Sequence, residues 1–403
     1  MSKFKYIGIP VLTLAIGFGA GAAAGTIYGS HNPVSVESEA GDDEISREDV
    51  NKLYELKDYI DEYYLGDAEN LAEGMYKGLF KALDDPYSVY MDKEEFSAFR
   101  EAATGKFVGI GVIVTPNDEN RIQVVTPIKG GPAEREGVKA GDIIWKVEDK
   151  VYTGEEMNDA VSIMKGEEGK PVNITFVRKK NGKKEILEKT IIREEVVSPS
   201  VEGEMMADGI GYLRIIQFED ETYNEFIEEM DKLKSQGMKS LVIDIRENGG
   251  GNLAVASDII DELLPEGVIV YTEDKNGKKE YILSDANELG MPMAVLVNEN
   301  TASAAEILTA ALQDSGKGTI IGTKTFGKGV VQIVHGLDDG SGLKLTISEY
   351  FSPKGRKING EGVQPDIDIE LNEDSEGIGP DYINEDNQLQ KAVEVLKEKQ
   401  QNQ

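Results

Sequence analysis

Two stretches of this chain run apolar without alternation, and each ends in a turn of small residues. Ser240-Leu-Val-Ile-Asp-Ile-Arg246 leads into Glu247-Asn-Gly-Gly-Gly-Asn252 and a helical pattern from Leu253 to Leu264. Met293-Ala-Val-Leu-Val297 leads into Thr301-Ala-Ser-Ala-Ala305 and a second helical pattern with Ile307, Leu308, Ala311 and Leu312 on one face. A strand with one wet face shows period two, so unbroken runs belong to strands covered on both faces, as in a parallel sheet between helical layers. Gly211–Ile216 adds a strand, and Thr222 is read as the cap of a helix whose Phe226, Met230 and Leu233 share a face. Residues 194–371 are therefore predicted to form an α/β domain.

The rest of the chain reads differently. Residues 45–104 are predicted to be helical, with Leu53, Leu56, Ile60 and Tyr63, then Leu71, Met75, Leu79 and Leu83, at helical spacing. Asp84-Asp-Pro-Tyr-Ser88 breaks that pattern before a further helix, 93–102. Residues 105–193 change to strand periods, with Met157, Ala160, Val161 and Met164 marking one helix among them. After a linker, residues 372–403 end in a helix whose stripe, Leu389, Ala392, Val393 and Leu396, must bury against its own protein or another subunit. At the other end, Lys3 and Lys5 precede an uncharged run from Tyr6 to Tyr28. At about 1.5 Å per residue, such a helix crosses a hydrocarbon core of roughly 30 Å. Residues 1–30 are predicted to be a signal anchor that leaves the body outside the cytoplasm, in a single-pass cell-membrane protein. A cleaved signal peptide and secretion is the alternative, since Ala20-Gly-Ala22 resembles a cleavage site. Residues 31–44 form an acidic linker.

A net charge of −32 argues against nucleic acid and anionic surfaces as partners. The chain has no cysteine and only two histidines, His31 and His335, which excludes thiol catalysis and cysteine-bound zinc; no metal or cofactor is expected. A hydrolase built from this inventory needs another base. Ser303 is a candidate nucleophile at the turn after a buried strand. Lys328, in Gly327-Lys-Gly329, is a candidate base if a neighbour packs on the two glycines and desolvates it. If the chain is extended from Lys328, Val330 and Gln332 share its face, and Gln332 can orient the amine. The structural alternative is a capping box, Ser303-Ala-Ala-Glu306. A strand, tight loop and helix start expose backbone N–H groups that hold negative charge, so Gly249, Gly250 or Gly251 together with Ala304 are candidate oxyanion donors. Asp244 and Arg246 are read as an ion pair bracing that loop.

TASAAEI, followed 25 residues after its serine by the lysine of TFGKGVVQ, resembles the carboxy-terminal processing (tail-specific) proteases. The resemblance implies a crotonase/ClpP-like α/β core, a serine endopeptidase with Ser303 as nucleophile, Lys328 as general base and Gln332 as its partner, and a dimer. DIRENGGG resembles the family's loop, with Gly249 where many members have proline, and SPKGRKINGEGVQPDIDIE resembles its downstream segment. Ala305 stands where members often have a second serine. Residues 105–193, with GGPAEREGVKAGDII at their middle, resemble a PDZ domain, and Gly109-Ile110-Gly111-Val112 stands for its carboxylate-binding loop. The fold expected is thus α/β and multidomain: anchor, helical arm, PDZ-like domain, protease core and C-terminal helix. Protein C-termini are the expected partners. A catalytically silent scaffold that binds C-termini, or a protease whose dyad stays misaligned until substrate arrives, is the alternative.

Overall fold

The computed structural model describes residues 45–401 apart from 118, 181, 182 and 376. The predicted anchor and acidic linker, 1–44, lie outside the described residues. Among those described, no helix is long and apolar enough to cross a membrane.

The two unbroken apolar runs lie side by side at the centre of a six-stranded sheet. Its order is Val201–Met205, Ile210–Ile215, Ser240–Asp244, Met293–Val297, Gly318–Gly322 and Ile367–Asp368. The first pair is antiparallel and every later pair parallel. All five residues of Ser240–Asp244 and all five of Met293–Val297 are buried, as their lack of alternation requires. Leu241, Ile243, Val295 and Val297 point into one layer, against helices Thr222–Ser235, Leu253–Leu263 and Ala304–Ser315. Val242, Ala294 and Leu296 point into the other, where Leu389, Ala392 and Leu396 of helix Asn387–Gln401 cover them completely. The C-terminal stripe is therefore spent inside its own chain, and no subunit contact is needed to explain it. Thr222 begins its helix after Glu221 rather than capping it; its hydroxyl accepts from Glu219 N–H at 2.8 Å and donates to the Gln217 carbonyl at 3.1 Å.

A second sheet is antiparallel and built around the strand Gly342–Phe351, which pairs with Val89–Met91, Gly267–Asp274 and Val330–Gly336. Val89–Met91 comes from the predicted helical arm, so that arm is docked by backbone hydrogen bonds to the sheet that carries residues 330–336. The helices before it, Arg47–Tyr63 and Leu71–Lys81, bury none of their residues.

Residues 105–193 make a separate β-rich unit with strands Val112–Pro116, Ile122–Pro127, Ile143–Val147, Pro171–Lys180 and Lys183–Ile192 and helix Met157–Met164. Ile122, Val124, Ile144, Val172, Ile174 and Phe176 form its own core. Lys106–Gly109 pairs with Glu194–Val197, so the chain's entry to this unit is zipped to its exit.

Candidate active site

Ser303 occupies the turn between Met293–Val297 and the helix Ala304–Ser315 at φ 56°, ψ −120°. A non-glycine residue at such angles is strained, and surrounding structure must hold it there. Opposite it lies the glycine loop: a Cβ on Gly250 would stand 2.8 Å from Ser303 Cβ and 3.0 Å from Ala304 N, so only glycine permits the approach.

Glu306 is what holds both turns. Its carboxylate is fully buried and accepts from Ser303 N–H at 2.9 Å, Lys328 N–H at 2.8 Å, Gly327 N–H at 2.8 Å and Thr325 Oγ1 at 2.6 Å. Burial pushes the acid's pKa up, and these four donors oppose that by stabilising the charged form. The Ser-x-x-Glu spacing is thus only part of its role: Glu306 reaches back to Ser303 as a capping box requires, and also fastens the lysine loop 22 residues on. Ser303 N–H and Lys328 N–H share one oxygen of it, Oε2.

Lys328 is 3% exposed. The glycines beside it do what the sequence implied: a Cβ on Gly329 would stand 2.2 Å from Asn359 N, and one on Gly327 3.0 Å from Gly362 N. The turn-rich segment after Phe351 therefore closes over the loop. Burial above all, then the charge of Lys344, pulls the Lys328 amine down to about 8, against Asp85 and Glu306. Its Nζ stands 4.7 Å over the ring of Tyr87, a cation–π contact from the arm. The buried Tyr350 phenol donates to the Lys328 carbonyl and lies beside Ser303.

The structure does not join the serine, lysine and glutamine by hydrogen bonds. Among the described residues no such bond links Lys328 Nζ to Ser303 or Gln332. Gln332 is fully buried, its Nε2 donates to Thr346 Oγ1 at 3.4 Å, and its Oε1 has no partner. The strand begins at Val330, so Lys328 precedes it, and its pairing with Gly342–Phe351 shifts between Val331 and Gln332. Of the glycine amides, Gly250 N–H donates to Asn248 Oδ1 at 2.8 Å and is not free to hold another charge. The Asn248 carbonyl accepts from Ala302 N–H at 2.9 Å, which ties the glycine loop to the serine turn beside Ala304. Sequence reasoning missed Tyr87, Lys344, Thr346 and Tyr350. The Asp85-Pro-Tyr-Ser88 segment was noted as a break between helices, and Lys344, Thr346 and Tyr350 lie in a stretch, 343–351, whose strand pattern gives no sign of what it faces.

Gly109, Ile110, Gly111 and Val112 line a cavity of about 460 Å³ with Val161 and Met164 of the adjacent helix. The Ile110 and Gly111 carbonyls accept from Ala133 N–H at 2.8 Å and Ile128 N–H at 3.0 Å, which fixes the loop's shape. The cavity is not walled by this unit alone, since Ala98 of the arm and Gln217 and Glu219 of the core reach into it. Burial, then Glu225 and Asp220, push the Glu219 carboxyl up to about 7. An acid raised in the folded state weakens folding as pH climbs from its ordinary value through 7, because the folded form must then carry a poorly solvated charge. Glu219→Gln is expected to stabilise the chain by about 1 kcal/mol at pH 8, a figure discounted for the group's partial solvation, and by nothing at pH 4. Urea unfolding at the two pH values measures it.

Family models match the chain in the same order as these units. The N-terminal domain of the activating protease CtpB covers residues 14–95, a PDZ domain 123–178 and Peptidase family S41 209–369. The carboxy-terminal processing protease CtpA of Bacillus subtilis is 37% identical over 337 residues, 83% of this chain and 69% of that one. The carboxy-terminal-processing protease of Bartonella bacilliformis is 38% identical over 313 residues, 75% of this chain and 70% of that one. A solved chain from Bacteroides fragilis, described as an S41 protease, shares the fold with a TM-score of 0.51 at 16% identity, over 77% of this chain and 84% of that one. The buried parallel sheet, the serine turn tied to a desolvated lysine loop and the PDZ unit between arm and core place this chain in peptidase family S41, as a carboxy-terminal processing serine protease with a PDZ domain.

Proposed function

We propose that Ser303 is the nucleophile of this protease and Lys328 its general base. The observation that carries the assignment is Glu306, whose one oxygen Oε2 accepts from the backbone of both residues and so fixes the base loop beside the serine turn. Neutral Lys328 takes the proton from Ser303 Oγ as it attacks the scissile carbonyl, and returns it to the leaving amine. A water, deprotonated by Lys328, then adds to the acyl carbonyl and expels Ser303 Oγ, which takes the proton back from the lysine. The amide of Ala304 and one of Gly249 or Gly251 hold the oxyanion. Gln332 Oε1, buried and unpartnered, is an acceptor available to the amine once Lys328 leaves Tyr87. The present arrangement is a resting one, and a protein C-terminus seated at Gly109, Ile110, Gly111 and Val112 touches the walls contributed by arm and core.

The test is the pH profile. A base that must be neutral is active above its own value, so kcat/KM is expected to rise about tenfold per unit below pH 8 and to level off above it. A profile flat from pH 6 to 10 removes Lys328 from the role.

The same reading places the body outside the cytoplasm on an N-terminal anchor, with secretion as the alternative; protease protection of intact cells separates the two sides of the membrane. It also makes the chain a homodimer through the arm, where Leu53, Leu56, Tyr59, Met75 and Leu79 are exposed on helices that bury nothing. Sedimentation showing only monomer from nanomolar to tens of micromolar concentration overturns the dimer.

A further inference from the structure

Lys328 is not the only buried amine at this site. Lys344, 7% exposed, lies on Gly342–Phe351 and pairs in register with Val89 of the arm. The arm's loop Asp85-Pro-Tyr-Ser88 is seated on that strand by a chain of hydrogen bonds. Ser88 Oγ donates to Asp85 Oδ2 at 2.5 Å, Tyr87 N–H to Asp85 Oδ1 at 3.0 Å, and Thr346 N–H to Ser88 Oγ at 3.0 Å. Gln332 Nε2 reaches the same Thr346 through its hydroxyl. Each ammonium lies over a ring supplied by the arm: Lys328 at 4.7 Å from the centre of Tyr87, Lys344 at 5.9 Å from that of Phe99.

We propose that Lys344 and Asp85 are positioning residues that act on the protonation of Lys328 through their charges, so that the arm's loop completes the active site. This rests on the reading of Lys328 as base.

The argument is one of charge in a dry place. Two ammonium groups cannot both be solvated there, so one surrenders its proton at lower pH than it would alone. The charged and aromatic groups facing the Lys328 amine are Asp85 and Tyr87 from the arm, Lys344 from the strand and Glu306 from the helix after the serine, with the Tyr350 phenol on the Lys328 carbonyl. The phenols of Tyr87 and Tyr350 are pushed up by burial, so they stay neutral where a lysine base works. Glu306, engaged by four donors, and Asp85 are the charges that retain the proton on Lys328, and Lys344 is the charge that drives it off. The Lys344 amine is itself pulled down, by burial first and against Asp85. While Lys344 carries its charge, it lowers the pH at which Lys328 gives up a proton.

Two measurements on the full chain test this together: kcat/KM from pH 6 to 10, and, in the Ser303→Ala background, competitive labelling of Lys328 with trace acetic anhydride read by peptide mass spectrometry. Lys344→Met is expected to move the labelling midpoint and the acidic limb upward by at least about half a pH unit, threefold in activity at pH 7, with the curves converging above the limb. Lys344→Arg keeps the charge and leaves the midpoint in place. Asp85→Asn moves it down; if that change unseats the arm, the two Lys344 variants decide alone. A uniform loss at every pH with the Lys328 midpoint unmoved overturns the inference, as does a shift of the same sign in Lys344→Met and Asp85→Asn. A labelling midpoint that moves as described while activity ignores it upholds the inference and removes Lys328 as the base.

Discussion

Ser303→Ala is expected to lower kcat on an unfolded protein substrate by at least about 10⁴-fold, leaving only what oxyanion donors and binding supply. The hydroxyl is the only atom removed, and the strained turn at φ 56° is retained because Glu306 still accepts from the backbone N–H. Lys328→Ala belongs to the same experiment and is expected to cost about as much, since a serine without a base is no nucleophile at neutral pH. The double variant should be scarcely worse than either single one, because residues that act as a unit do not add. Lys328→Arg should not rescue activity: a guanidinium is charged throughout the working range and accepts no proton. Substrate cleavage followed by mass spectrometry, beside circular dichroism to confirm the fold, decides it. More than about one percent residual activity in Ser303→Ala would assign the attack elsewhere.

The largest loss of stability is expected at Arg246. This guanidinium, 2% exposed, donates to Asp244 at the end of the preceding strand, to both oxygens of Asp386 at 3.0 and 2.7 Å, and to Gln388 Oε1 at 2.9 Å. Asp244 also accepts from the Tyr212 hydroxyl at 2.8 Å, and Asp386 from Gly379 N–H at 2.8 Å and Leu389 N–H at 2.9 Å. Arg246→Met leaves two carboxylates buried without their cation, which costs about 3–5 kcal/mol. The damage should appear first in the helix Asn387–Gln401, since Asp386 and Gln388 lie at its start. Hydrogen exchange in 380–401 and urea unfolding report it, and a loss below about 1 kcal/mol would mean the network is not holding the helix down. Adding Asp386→Asn to Arg246→Met should restore part of the loss, because it removes one stranded charge.

The sequence predicted an ion pair between Asp244 and Arg246 and stopped there. Asp386 was out of reach because it lies 140 residues away and no local pattern marks it. The same limit shows at Glu306, where the capping-box spacing was legible but not the bonds to Thr325, Gly327 and Lys328. Gly327 and Gly329 were read correctly as permission for a close neighbour, while the identity of that neighbour, the backbone at Asn359 and Gly362, came only from the fold. The alternation rule put Gln332 on the lysine's face, and what the fold added is its partner, Thr346 on the strand Gly342–Phe351.

What the sequence determined by itself was whatever rests on local periodicity and on rare residues. Unbroken apolar runs specify a sheet covered on both sides, the absence of cysteine and near absence of histidine make a lysine the candidate base, and the serine and lysine motifs mark the candidate site. What only the tertiary structure decided was the electrostatics of that chemistry. Lys328 is pulled down by burial under the segment after Phe351 and by the charge of Lys344, against Asp85 and Glu306; these groups converge on it from four separate stretches of chain, and charge interactions depend on distance in space and on the water excluded between groups, neither of which is written in residue order.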